Sequence, residues 1–105
     1  MKTYLIFDED VTDPEGLQEY VQQAGPILER YGGKVLTAGG TIETLEGNWH
    51  PKLLVILEFE SVEQAKRWYR SNEYTSVKAL RQNASNTRLI LIEGTQGIQW
   101  TPNRA

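Results

Sequence analysis

Apolar residues fall along this chain in two patterns. Tyr4-Leu5-Ile6-Phe7, Leu53-Leu54-Val55-Ile56-Leu57 and Leu89-Ile90-Leu91-Ile92 are apolar at both odd and even positions. A strand without a polar parity needs cover on both of its faces. Between these runs the spacing changes to that of a helix: Leu17, Tyr20, Val21, Ala24, Ile27, Leu28 and Tyr31 share one face, with Gly32-Gly33 as the stop. Thr12-Asp13-Pro14-Glu15 supplies an N-cap, a proline for the first turn and a glutamate placed for a capping box. Gly25-Pro26 predicts a kink or restart, because proline lacks the amide hydrogen and crowds the preceding turn.

Lys34 to Ala38 and Thr41 to Leu45 predict one long strand bent at Gly39-Gly40, where missing side chains admit a bulge or the close approach of a backbone or ligand. Glu46 to Pro51 is a loop, and Leu53 to Phe59 the most strand-like run of the chain. Ser61-Val62-Glu63-Gln64 opens a helix that packs Ala65, Trp68 and Tyr69. Ser71-Asn72 ends that helix and caps a short one carrying Tyr74, Val77 and Arg81. Leu89 to Ile92 is the last strand, and the tail 95–105, polar apart from Ile98 and Trp100, has no period.

The order β-α-β-β-α-β is that of the ferredoxin-like α+β fold, with two helices on one face of a four-stranded antiparallel sheet and the first and third strands at its centre. Helices cover one face only, so the second apolar face predicts a homodimer that buries about 800 Å² per subunit. The alternative cover is the tail, with Trp100, folded back over the sheet.

Composition narrows the partners. With 105 residues the chain has room for one core, here residues 1–94 followed by the tail. A net charge of −3 gives no footprint for a nucleic-acid backbone. The absence of cysteine removes disulfides and thiolates and fits the cytoplasm. No run approaches the ~20 apolar residues of a membrane span, and the N-terminus does not read as a signal peptide. Asp8-Glu9-Asp10 cannot chelate as a cluster, since neighbouring strand residues face opposite ways, and it reads as a solvated strand end. No phosphate-cradling glycine loop, dinucleotide fingerprint or Ser/His/Asp order is present, and no metal or cofactor is expected.

Several motifs occur together and in order: Tyr31-Gly32-Gly33, Gly39-Gly40, Leu45-Glu46-Gly47-Asn48-Trp49-His50-Pro51, Glu58-Phe59-Glu60-Ser61, Trp68-Tyr69-Arg70-Ser71-Asn72-Glu73-Tyr74 and Ala79-Leu80-Arg81. With these the chain resembles the domain of unknown function 1330 family (DUF1330) from about residue 2 to residue 94. The resemblance implies the dimeric α/β-barrel superfamily, in which two sheets pair face to face. Similar barrels include small monooxygenases and isomerases acting on aromatic or conjugated carbonyl compounds. The acidic run at 8–10 and the tail depart from the family pattern.

Among candidate site residues Glu58 stands out, a carboxylate inside an apolar central strand that must be paired or protonated if buried. It is the candidate acid/base group in a pocket between sheet and helices. Arg81, on the inward helix face, is a candidate clamp for a substrate carboxylate or a partner for Glu58. Trp49, Trp68 and Tyr74, with Gly40, are candidate ligand-binding residues, because aromatic walls with a few polar atoms make small-molecule pockets. His50, the single histidine, reads as an exposed loop residue. Two readings stand: with the resemblance, a binding protein for a small carbonyl or aromatic compound or a cofactor-independent enzyme acting on one, its site between helices and sheet; or a non-catalytic dimeric structural or regulatory module in which Glu58 and Arg81 satisfy one another.

Overall fold

A computed structural model describes residues 1–95, and Ile98 and Trp100 lie outside the described residues. The elements run β1 (Thr3–Val11), α1 (Pro14–Arg30), β2 (Lys34–Ala38), β3 (Leu53–Phe59), α2 (Val62–Arg70), α3 (Asn72–Ala84) and β4 (Ser85–Glu93). The sheet order is β2-β3-β1-β4, every neighbouring pair antiparallel, which is the ferredoxin-like α+β arrangement with β1 and β3 at the centre.

Strand β1 sets the two faces. Thr3, Leu5, Phe7 and Glu9 are buried under the helices, whereas Tyr4, Ile6 and Asp8 point the other way and are half-buried. The pairing carries this parity outward: Leu5 opposes Leu57 and Leu91, and Phe7 opposes Val55 and Leu89 on the helix side. Tyr4 opposes Glu58 and Ile92, and Ile6 opposes Ile56 and Ile90 on the bare side. The bare face keeps its apolar side chains in water, with Ile90 59% and Ile92 51% exposed. No helix among the described residues is long and apolar enough to cross a membrane.

The helices start where their caps are. Asp13, not Thr12, caps α1, its carboxylate accepting from the Gly16 amide at 3.1 Å with Pro14 in the first turn. Glu15 contributes negative charge to that turn rather than a capping box. Ser61 caps α2 by accepting from the Gln64 amide at 3.1 Å. Gln64 answers through Glu60, whose amide donates to its Oε1, and its Nε2 donates to the Tyr31 carbonyl at 2.7 Å, tying α2 to the end of α1. Ser71 serves two helices, donating to the last-turn Trp68 carbonyl at 2.8 Å and accepting from the Tyr74 amide at 3.0 Å.

Two local expectations are corrected. Helix α1 runs unbroken through Pro26 and does not restart. Gly25 has no Cβ to collide with the proline ring, and the Gln22 carbonyl that loses its donor lies on an exposed turn of the helix. Residues 41–45 do not extend β2, since the chain after Ala38 is irregular up to Leu53 and Leu45 is exposed. Gly39 takes a φ of +89°, in the left-handed region, and turns the chain out of the sheet. Strand β2 is also interrupted by a bulge between Val35 and Thr37, so Leu36 has no partner on β3.

The core is aromatic where α2 and α3 meet the sheet. Trp68 and Tyr74 stack with centroids 4.1 Å apart, Phe59 lies 5.5 Å from Trp68, and Tyr69 lies 5.7 Å from Tyr74. Because Ser71 holds the junction that brings these rings together, Ser71→Ala removes one cap and one C-terminal bond at once. It is expected to cost about 1 to 2 kcal/mol, read as a lower urea midpoint with an unchanged slope; a change below a few tenths would show that packing alone sets the junction.

Candidate functional site

Beneath α1, between the helix and the sheet edge formed by β3 and β2, lies a cavity of about 120 Å³. Tyr20, Val21, Ala24, Gly25 and Leu28 line its helix side, and Phe7, Val35, Ala38, Val55 and Leu57 its sheet side, with Glu9 and Trp68 completing the wall. An apolar cavity of about 150 Å³ accepts a benzene ring, so this one has the scale of a single ring or a short chain. Gly25 marks a mouth, because it is exposed and a Cβ built on it would meet nothing within 4 Å.

Two polar groups in this wall are underused. Glu9 is 4% exposed, and its one hydrogen bond comes from the Thr87 hydroxyl to Oε1 at 2.9 Å. No donor among the described residues reaches Oε2. The indole Nε1 of Trp68 is buried and has no acceptor. Buried polar atoms without partners cost on the order of 1–3 kcal/mol each, and native folds keep them where a function needs them.

Glu9 is the functional candidate that the sequence reading missed. The acidic run is not a solvated strand end throughout: Asp10 is exposed, Asp8 bonds Arg88 at 2.6 Å and the Trp49 indole at 3.2 Å on the bare face, and Glu9 is buried beneath the helices. The signal was parity, since Glu9 continues the series Thr3, Leu5, Phe7.

The predicted residues do not converge. Glu58 lies on the bare face, beside Tyr4 and Lys34 in register, and its carboxylate meets Lys2 at 3.4 Å. Arg81 is on the opposite side of the sheet, so the two cannot pair. Trp49 is exposed over the bare face at Asp8, and Gly40 is exposed with empty space around it. His50 sits in the exposed loop and shares a 3.1 Å hydrogen bond with Thr44. Of the predicted set, Trp68 lines the cavity, and Tyr74 and Arg81 stand behind it.

Tyr74 and Arg81 enter through a buried relay. The Tyr20 and Tyr74 hydroxyls are 2.7 Å apart, and Arg81 Nε donates to the Tyr74 oxygen at 3.3 Å. Arg81 is 3% exposed and has no carboxylate within ion-pair reach among the described residues. Its guanidinium lies over the Phe7 ring at 5.3 Å and near the Tyr20 ring at 5.9 Å. Such contacts supply ~1–2 kcal/mol each, less than the several kcal/mol of burying an ion, so the rings compensate the charge only in part.

Elsewhere, a wider groove of about 850 Å³ at the α2–α3 junction is open to solvent and walled by Glu63, Lys66, Arg67 and Arg70. It lacks the apolar enclosure a small-molecule site needs. No group of three His, Asp or Glu side chains converges as a metal site among the described residues.

The sheet order and the helical layer on one of its faces define a small α+β domain of the ferredoxin-like kind. The chain belongs to the DUF1330 family, a domain of unknown function, whose pattern matches residues 2–95. No curated protein matches its sequence. Among solved structures it is similar to RPA0582, a protein of unknown function from Rhodopseudomonas palustris, with 24% identity, TM-score 0.72, and coverage of 91% of this chain and 84% of that one. It is similar in fold to SnoaB, a cofactor-independent oxygenase from Streptomyces nogalater, with 9% identity, TM-score 0.67 and coverage of 94% and 98%. A putative antibiotic biosynthesis monooxygenase from Nitrosomonas europaea matches with 7% identity, TM-score 0.57 and 89% coverage of both chains.

Burial pushes the Tyr20 phenol far above its ordinary value, and the neighbouring Tyr74 oxygen adds to the effect; burial raises Tyr74 as well. Both phenols therefore hold their protons in the folded state after they would ionise in the unfolded chain. This stability is fully present below the ordinary phenol pKa of about 10 and falls as pH rises above it, by up to about 1.4 kcal/mol per pH unit for each phenol. Alkaline titration at 295 nm should show two of the five tyrosines, Tyr20 and Tyr74, ionising only on unfolding. Five ionising together before unfolding would refute the buried relay.

Proposed function

We propose that this protein binds a small aromatic or conjugated carbonyl compound in the cavity beneath α1 and moves a proton on it without a cofactor, with Glu9 as the acid–base group. The observation that carries the reading is a buried carboxylate with one free oxygen in the wall of an otherwise apolar, ring-sized cavity. A carboxyl group in such a place is shaped for proton transfer on a ring-sized compound. The free Trp68 N–H is a donor of the kind a carbonyl oxygen takes. Relatives in fold that include a cofactor-independent oxygenase and a putative monooxygenase agree with this class, by analogy of fold.

Acetophenone is a direct probe. The wild-type protein is expected to speed deuterium exchange of its methyl protons in D₂O, followed by proton NMR. Glu9→Gln, which keeps the shape and the Thr87 contact, should lower that rate by about 10²-fold or more. Glu58→Gln should leave it unchanged. Equal losses in both variants, or no exchange above the buffer rate, would remove the acid–base role.

The second part of the proposal is a homodimer with the two bare sheet faces packed together. Support comes from the continuity of Ile6, Ile56, Ile90 and Ile92 across the strands, an apolar surface that a monomer rarely leaves in water. The charges at its two ends are already paired within the chain, Lys2 with Glu58 and Arg88 with Asp8, so a second copy meets no net like charge there. Light scattering is expected to give twice the 12.0 kDa chain mass for the wild type and one chain mass for Ile90→Lys. A monomeric wild type would leave the face to another cover.

A further inference from the structure

A second hollow, of about 230 Å³, lies where the end of α3 meets the start of β4. Tyr69, Arg81, Ser85, Thr87 and Leu89 are among its walls. It holds the one buried arginine of the described core, and only neutral phenol oxygens, that of Tyr74 at 3.3 Å and that of Tyr20 nearby, face the five N–H donors of Arg81. Ser85 is 4% exposed and its hydroxyl has no hydrogen-bond partner. A guanidinium without a carboxylate partner and a hydroxyl without any partner share the wall of one hollow, where an anion would serve both.

We infer that Arg81 and Ser85 form a recognition site for the carboxylate of a small organic acid. The charge of the hollow selects the class. One guanidinium with neutral neighbours, Thr87 already donating to Glu9, balances a single negative charge and not a phosphate dianion. The planar donor fork of arginine matches a carboxylate in two parallel bonds. Tyr69 and Leu89 offer apolar surface to the body of the acid. This site is a different hollow from the cavity beneath α1, and it stands or falls separately from the proton-transfer reading.

The test uses the full chain and benzoate, with benzamide as its uncharged counterpart, read at the Arg81 Nε–H resonance by NMR. Benzoate is expected to shift that resonance saturably and benzamide to leave it in place. Ser85→Ala, which removes only the hydroxyl, should weaken benzoate binding about tenfold, and Arg81→Met should abolish it. A benzamide response equal to that of benzoate, a response reproduced by chloride, or undiminished binding in Ser85→Ala would overturn the proposal. Ala38→Phe, which fills the α1 cavity, separates the two readings: it should stop acetophenone exchange and leave benzoate binding intact.

Discussion

The structure depends on the alternation of β1. This strand is hydrogen-bonded on both sides, to β3 and to β4, so its residues can go only up under the helices or down onto the bare face. Because register is transmitted through paired residues, the orientation of β1 fixes that of Glu58, Leu57, Leu89 and Ile90 as well. A slip of one residue would move Phe7 and Glu9 out of the helix side and Ile6 and Asp8 into it. The aromatic cluster resists that slip, since Phe7 lies under Arg81, and Phe59 on the neighbouring strand β3 packs on Trp68.

Above β1 the two sides of the helix layer differ. Helices α2 and α3, held at one serine, press Trp68, Tyr69 and Tyr74 together, with Trp68 against Phe59 of the sheet. Helix α1 covers the β3–β2 side with Ala24 and Gly25, and the edge strand below it offers Val35 and Ala38 with a bulge between them. Small residues above and a broken edge below leave the cavity. The same stretch that lets α1 pass through Pro26, a glycine without Cβ, therefore also opens the mouth.

Element order was legible because periodicity and caps are local. Ser61 and Ser71 sit where their hydroxyls satisfy backbone amides three residues on, and that chemistry is readable from the residues alone. The faces were harder to read. In β3 both parities are apolar, so nothing nearby tells which side Glu58 takes; the answer lies in the pairing with Tyr4, a contact 54 residues away in sequence. Thr41 to Leu45 carries a strand-like alternation, yet a strand needs a neighbour to bond, and Gly39 directs the segment away from β3. Glu9 was masked by Asp8 and Asp10, whose charges made a buried position resemble a hydrated end.

The polar atoms left over by this packing are not scattered. Trp68 Nε1 and Ser85 Oγ, both buried without a partner, lie on the helix side of the sheet, as do the Tyr20–Tyr74–Arg81 relay and the Thr87 bond to Glu9. Glu9 and Arg81 are both buried, and neither forms an ion pair among the described residues. The chain instead gives Glu9 a neutral donor and Arg81 ring faces and a phenol, keeping the two charges apart. Burying a carboxyl group and a guanidinium on one side of a sheet without pairing them costs stability. That expense is intelligible if each group faces a ligand: a proton on a carbonyl compound for Glu9, a carboxylate for Arg81.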